Sequence, residues 1–233
     1  MHEAQRPGEP QRIIIVGAGE QADIAYEYFT HDSPHEVVGF AVESAYLDVP
    51  EHVGLPVVAL EELAERVPPD RHRAFVALAA QLLNRLRRRL FDAVKAQGFS
   101  CVSFVSPHAF VWHNVQIGEN CMIFENNVLQ HHVSVGDNCV LWSGNHIGHR
   151  TTIEEDVFMS SHVVVSGYCR IGARSFIGVN STFGDNVAIA EDSVVGAGAV
   201  VVKSIGEPRG VHVGSPAKPT GRDSFVTFAV DAT

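Results

Sequence analysis

The sequence predicts two parts, a small parallel α/β sheet followed by a coil of short parallel strands, and three observations predict them. First, an apolar residue recurs at every sixth position: Val111, Ile117, Ile123, Leu129, Val135, Leu141, Ile147, Ile153, Met159, Val165, Ile171, Ile177, Phe183, Ile189, Val195 and Val201. With apolar residues at 45% of the chain, a run of that length arises by chance about three times in a million, so the period is a structural rule. A step of six wanders around a 3.6-residue helix, which leaves short strands as the source. Second, the apolar run Ile13–Val16 leads into the turn Gly17-Ala18-Gly19 and then a helical stretch. Third, two kinds of sequence meet near residue 108, which divides the chain.

Residues 12–40 read strand, helix, strand. The apolar run 13–16 is the first strand, helical character spans 23–29, and 37–41 is a second strand ending near Glu43. Such a start places backbone N–H groups and a helix N-terminus beside the turn, where an anion binds. Ala22 stands where a dinucleotide fingerprint has its third glycine, and the stretch before the repeat is short for a full dinucleotide domain. A nucleotide-sugar diphosphate, or a purely structural turn, is therefore the better reading. PVVALEELAERV (56–67) gives a strand and a helix, 74–79 a third strand, and 82–97 a basic amphipathic helix stopped by Gly98. Residues 99–105 read as a last strand before Pro107.

The repeat ends after Val201, and a Gly- and Pro-rich tail follows, with one strand expected at 225–230. An open coil end is an unpaired edge, so the tail is expected to fold back over it. The divisions expected are 1–11 as a flexible N-terminus, 12–107 as a Rossmann-like nucleotide-sugar-binding domain, 108–205 as the coil, and 206–233 as a capping tail.

Within the coil, the residue four after each apolar one is mostly small, as at Cys121, Asn127, Cys139, Asn145, Cys169, Ser175 and Ser181. This resembles the hexapeptide repeat of left-handed parallel β-helices, in which three hexads make one triangular coil. The resemblance implies coils of 18 residues, about five of them, with residues 18 apart stacked at about 4.8 Å. On that map His113, His131 and His149 form a ladder on one corner, and Gly167 lies one coil beyond His149. Stacked imidazoles cannot easily all carry charge, so one held neutral suits a general base. A glycine beside it leaves an N–H approachable as an oxyanion donor. His146 could order a substrate or meet a neighbouring subunit.

A formal net charge of −10 argues against general nucleic-acid binding. The basic cluster Arg85, Arg87, Arg88 and Arg89 reads as a solvated helix face. The four cysteines contain no CxxC pair and read as buried free thiols. No apolar run is long enough to cross a membrane, MHEAQRPGEPQ has no secretory core, and a cytoplasmic location is expected.

Taken together, IIIVGAGEQA, FVAL…NRLRRRL, SPHAFV, GHRTTIEEDVFMS and VGAGAVVVKSI…VGSPAK resemble the sialic acid O-acetyltransferases and the bacillosamine-type amino-sugar N-acetyltransferases. The resemblance spans nearly all of residues 12–219. It implies a homotrimer with active sites between adjacent β-helices, acetyl-CoA as acyl donor, a nucleotide-sugar acceptor and no metal. It places the catalytic histidine on His149 and the oxyanion amide on Gly167; beside these, His131, His146, Asn145, Glu125 and Asp156 are candidates for a supporting role, the two carboxylates because Arg150 follows the histidine. CoA would run along Gly178, Ala197, Lys203 and the Pro216–Lys218 loop, and the nucleotide sugar would use Gly17, Gly19, Gln21 and Glu43. The sequence departs from the family pattern in three places. Arg150 stands where an acidic residue often follows the histidine, Glu20-Gln21 replaces Gly-His, and Glu43 replaces an Asp.

The expected function is therefore acyl transfer from CoA to the amine of a nucleotide-linked amino sugar, with sugar O-acetylation as the alternative. Two rivals come from other classes: a metal hydratase like the γ-type carbonic anhydrases, which would show zinc in protein purified without chelator, and a non-catalytic trimer that binds nucleotide sugars without turnover.

Overall fold

Ile13, Ile14, Ile15 and Val16 have nowhere to go but inward on both faces of a sheet, and that is where they lie, almost fully buried. In the computed structural model, which describes residues 9–231, they form β1 (Arg12–Val16). β1 lies between two parallel neighbours, β2 (Glu36–Val42) and β5 (Arg73–Val76). β4 (Leu55–Ala59) continues the sheet parallel to β2, and the two-residue β3 (Glu51–His52) closes its edge as an antiparallel hairpin on β4. Helix α1 (Glu20–Asp32) starts three residues before the expected stretch and turns Ala22, Ala25 and Phe29 into the core. The short helix α2 (Leu63–Arg66) buries Leu63.

Two expectations here are corrected. The basic helix, α3, runs Arg85–Ala96 and not from Leu82, because Leu82, Leu83 and Asn84 lie at φ of 51°, 50° and 65°, outside the right-handed region. Leu83 is thereby sunk against Val194 and Val211 of the second domain. The stretch 99–105 is not one strand. Cys101 makes a single bridge to Ala74, and Phe104–Val105 (β6) already pairs with β9 (Met122–Ile123) in the coil. Val105 is six residues before Val111, so the ladder begins one step earlier than expected.

From β6 to β22 (Val200–Val201) two-residue strands recur every six residues. Every strand pairs in parallel with those 18 residues away, as in Val128↔His146 and His146↔Val164. The result is a triangular parallel β-helix with three faces. They are named here for outward residues: the Phe158 face, the His146 face and the Arg170 face. The second residue of nearly every strand points inward and is buried; each such side chain contributes about 1.5–3 kcal/mol. At almost every corner one non-glycine residue takes positive φ, among them Asn120, Asn138, Arg150, Asp156, His162 and Tyr168, mostly residue types that tolerate that region. Cys101, Cys121, Cys139 and Cys169 are free and buried.

The α/β domain sits on the Phe158 face, where Phe104, Met122, Phe124, Val140 and Phe158 join one core with Ala22, Ala25, Phe29 and Phe75. Beside it runs a buried polar ladder. Asn120 accepts from the Val76 amide, Asn120 donates to Asn138, and Asn138 donates to Asp156. The fully buried Arg87 bonds to Asn138 Oδ1 at 2.8 Å and to the carbonyl oxygens of Asn120 and Leu78.

The tail differs from expectation. Residues 225–230 form no strand. β23 (Gly210–Val213) pairs with β21 (Val194–Val195), β24 (Lys218–Asp223) pairs antiparallel with β23, and α4 (Ser224–Thr227) follows. Ala190 donates to the Ile205 carbonyl and Val200 to that of Gly214, so all three faces of the last coil receive backbone partners. Residues 1–8 and 232–233 lie outside the described residues, including most of the expected flexible N-terminus.

Candidate active site

The corner between the His146 and Arg170 faces lies between β13 (His146–Ile147) and β14 (Thr152–Ile153). His149, half-buried there, stacks on exposed His131 with ring centroids 5.4 Å apart and planes within 4°. Tyr168 meets it edge-on at 5.0 Å. The residue that sequence reasoning missed is Gln130. Its Oε1 accepts the His149 amide at 2.9 Å and lies 3.4 Å from Nδ1. With the ring proton on Nδ1 facing that acceptor, Nε2 keeps its lone pair for a substrate proton. The signal was available, since Gln130 directly precedes His131 on the coil map. Desolvation, then the neighbouring His149, His132 and Arg150, pushes His131 below the usual histidine range.

Gly167 sits where the map placed it. A Cβ on it would lie 2.6 Å from His149 Cε1 and 2.8 Å from Nε2, so only glycine lets the ring occupy this corner. Its amide, however, is not open as expected: it donates to Asp185 Oδ1 at 2.9 Å. Asp137, in an identical Gly-Asp-Asn turn, accepts the amide of Glu119 at 2.8 Å in the same way. The bond is thus a habit of this turn, and an incoming carbonyl must exchange with the Asp185 carboxylate.

Three supporting candidates lie elsewhere. Glu125 is on the corner between the Phe158 and His146 faces, bonded to Tyr28 and Ser143. Asp156, on the third corner, is held by Asn138 and by Arg88 at 3.3 Å, and burial pushes its carboxyl up. Asn145 is buried and spends its amide on the Trp142 carbonyl and the Val163 N–H. Within one chain the corners separate these three from His149. His146 is a half-buried outward residue of β13, three positions before His149 on the adjoining face.

The bacterial transferase hexapeptide family model (six repeats) matches residues 114–149 and 168–203. Those two segments carry the hexapeptide repeat of bacterial transferases. Its likeness to solved structures extends over both domains. Perosamine N-acetyltransferase from Caulobacter crescentus, solved with CoA and GDP-perosamine, is 27% identical at a TM-score of 0.77, covering 90% of this chain and 97% of that one. Variants of that enzyme with one histidine replaced by asparagine or alanine were also solved with both molecules. The acetyltransferase domain of PglB from Neisseria gonorrhoeae shares the fold at a TM-score of 0.79 and 23% identity, covering 90% of this chain and 99% of that domain.

The remaining candidate residues divide into structural and exposed ones. Gly178 has a packing reason to be glycine, since a Cβ there would lie 2.6 Å from the Ala197 amide nitrogen of the next coil. Lys203 and Lys218 are exposed, and among the described residues neither enters an ion pair, which suits them to phosphate groups; the exposed Pro216 loop is docked on Val200 through the Ala217 amide. In the α/β domain, Gly17 at φ 123° would bring a Cβ within 2.9 Å of the Ala77 carbonyl, while a Cβ on Gly19 would meet nothing within 4 Å. Gln21 is half-buried. Glu43 is committed to Arg89 through two 2.8 Å contacts, which hold its carboxyl below the usual range although burial opposes them. A nucleotide that uses Glu43 shares it with Arg89 or displaces it. Among the described residues no group of three His, Cys, Asp or Glu is placed to hold a metal, and no helix is long and apolar enough to cross a membrane.

Proposed function

We propose that this transferase moves an acetyl group from acetyl-CoA onto the amine of a nucleotide-linked amino sugar, with His149 as general base. The observation that carries the reading is the oriented His149 ring packed over the Gly167 amide, in a chain that overlays perosamine N-acetyltransferase along 90% of its length. The acceptor nitrogen attacks the thioester carbonyl and its proton passes to His149 Nε2. The Gly167 N–H, released from Asp185, takes the developing oxyanion. As the tetrahedral intermediate collapses, the C–S bond breaks and the CoA thiolate takes the proton from the imidazolium.

In the same reading, residues 12–107 hold the nucleotide sugar and 108–205 carry the chemistry. The phosphates of CoA lie along Lys203 and Lys218 at the last coil, with the Gly178 and Ala197 corner and the Pro216 loop beside them, and the enzyme works as a cytoplasmic homotrimer. The His146 face supports the assembly: its outward Phe110 and Val164 are 46% and 41% exposed in the single chain. The test is thiol release with acetyl-CoA and a panel of nucleotide-linked amino sugars. His149→Ala should lower kcat by about 10²–10⁴ while acetyl-CoA binding stays at wild-type strength. Transfer at the wild-type rate in that variant would overturn the mechanism.

A further inference from the structure

Glu125, displaced from the role sequence gave it, is an unusual carboxylate. It is half-buried where α1 of the α/β domain meets the β-helix, and among the described residues it enters no ion pair. Both oxygens are oriented by hydroxyls from the two domains. Tyr28 Oη donates to Oε2 at 3.0 Å and Ser143 Oγ to Oε1 at 2.6 Å. Burial raises its carboxyl, but Ser143, the Glu125 backbone, Tyr28 and lastly His108 draw it net below the usual range. The charge is therefore kept, at a desolvation cost, chiefly by neutral hydrogen-bond donors, with His108 the smallest contributor. A carboxylate braced in this way is a counter-ion for a cationic ligand.

The neighbouring residue supplies a second kind of contact. Trp142, half-buried, stacks on Phe124 at 4.5 Å with planes within 11°. An indole beside a hydroxyl-braced carboxylate matches an aminated sugar: the ring covers the C–H face of a pyranose, and the carboxylate takes an ammonium.

We infer that Glu125, held by Tyr28 and Ser143, binds the protonated amine of the acceptor sugar and so selects amines over hydroxyls. This rests on the proposed acetyl transfer and extends it to the choice between N- and O-acetylation. Within one chain Glu125 and His149 stand on different corners, so the amine recognised by Glu125 gives one proton to solvent and reaches His149 of a neighbouring copy as the neutral nucleophile, whose second proton passes to His149 on attack.

The test is calorimetric binding of GDP-, UDP- and dTDP-linked 4-amino-4,6-dideoxyhexoses and of the same sugars with a 4-hydroxyl. The proteins are wild type, Glu125→Gln and Tyr28→Phe, with acetyl transfer measured in parallel. Wild type should prefer the amine tenfold or more. Glu125→Gln should abolish that preference while leaving hydroxyl-sugar and acetyl-CoA binding unchanged, and Tyr28→Phe should weaken it. If Glu125→Gln keeps the preference, weakens both sugars equally as a mere domain latch would, or if wild type binds no amine in the panel, the inference is overturned. A Glu125-dependent amine preference without acetyl transfer would instead retain the inference and remove the proposed function.

Discussion

At His149 the ring is bounded by Gln130 below, the Gly167 backbone above and Tyr168 at its edge, while His131 stacks on one face. That stack carries a cost that pH exposes. His131 is lowered in the folded chain, first by desolvation and then by His149, His132 and Arg150 beside it. The unfolded chain therefore binds its proton at higher pH than the folded chain does. Stability on this account is full above the ordinary histidine range and declines as pH falls through it. His131→Asn removes the site, so the fall in Tm between about pH 7.5 and about pH 5.5 should be smaller in the variant than in wild type. Differential scanning calorimetry at the two pH values reads it, and an equal fall in both proteins would contradict the effect.

Among the elements, α3 joins the two domains. Arg87 is fully buried, its guanidinium lowered to about 10 by that burial, and it stays charged. Its partners are the Asn120 carbonyl and the Asn138 amide oxygen on two successive coils and the Leu78 carbonyl of its own domain, so removing it orphans several acceptors at once. Arg87→Met should cost about 3 kcal/mol, read as a lower urea midpoint at unchanged slope. Arg85, bonded to Asp192 and stacked on Phe225, and Arg88, reaching Asp156, extend the same seam. The sequence suggested a solvated basic face here, because charge density is visible in a string and the partner surface is not. The coil was legible for the opposite reason: its contacts repeat at fixed separation, so Val111 through Val201 and the placing of His131 and Gly167 beside His149 follow from counting. The tail lost that period, and neither β24 nor the split of residues 99–105 could be counted. Asp185 followed from the same count as Gly167, yet only the coordinates show its carboxylate on the Gly167 amide.

For the whole molecule, the arrangement of corners decides how a site can be assembled. The α/β domain covers the Phe158 face and meets the Glu125 corner through Tyr28, whereas His149 stands on the far side of the His146 face. The proposed base on one corner and the proposed amine anchor on another make one site only when a second copy brings its His149 corner against the first copy's Glu125 corner, as a cyclic assembly would. Subunit mixing tests this directly. His149→Ala and Glu125→Lys homo-oligomers should each have little activity toward an amino-sugar acceptor. When they are unfolded and refolded together in equal amounts, a site is intact if the subunit giving His149 is the Glu125→Lys chain and its neighbour is the His149→Ala chain. Random assembly makes about one site in four intact, so about a quarter of wild-type activity should return. Residues supplied by a single chain would give no recovery, because every chain then carries a defect in its own site.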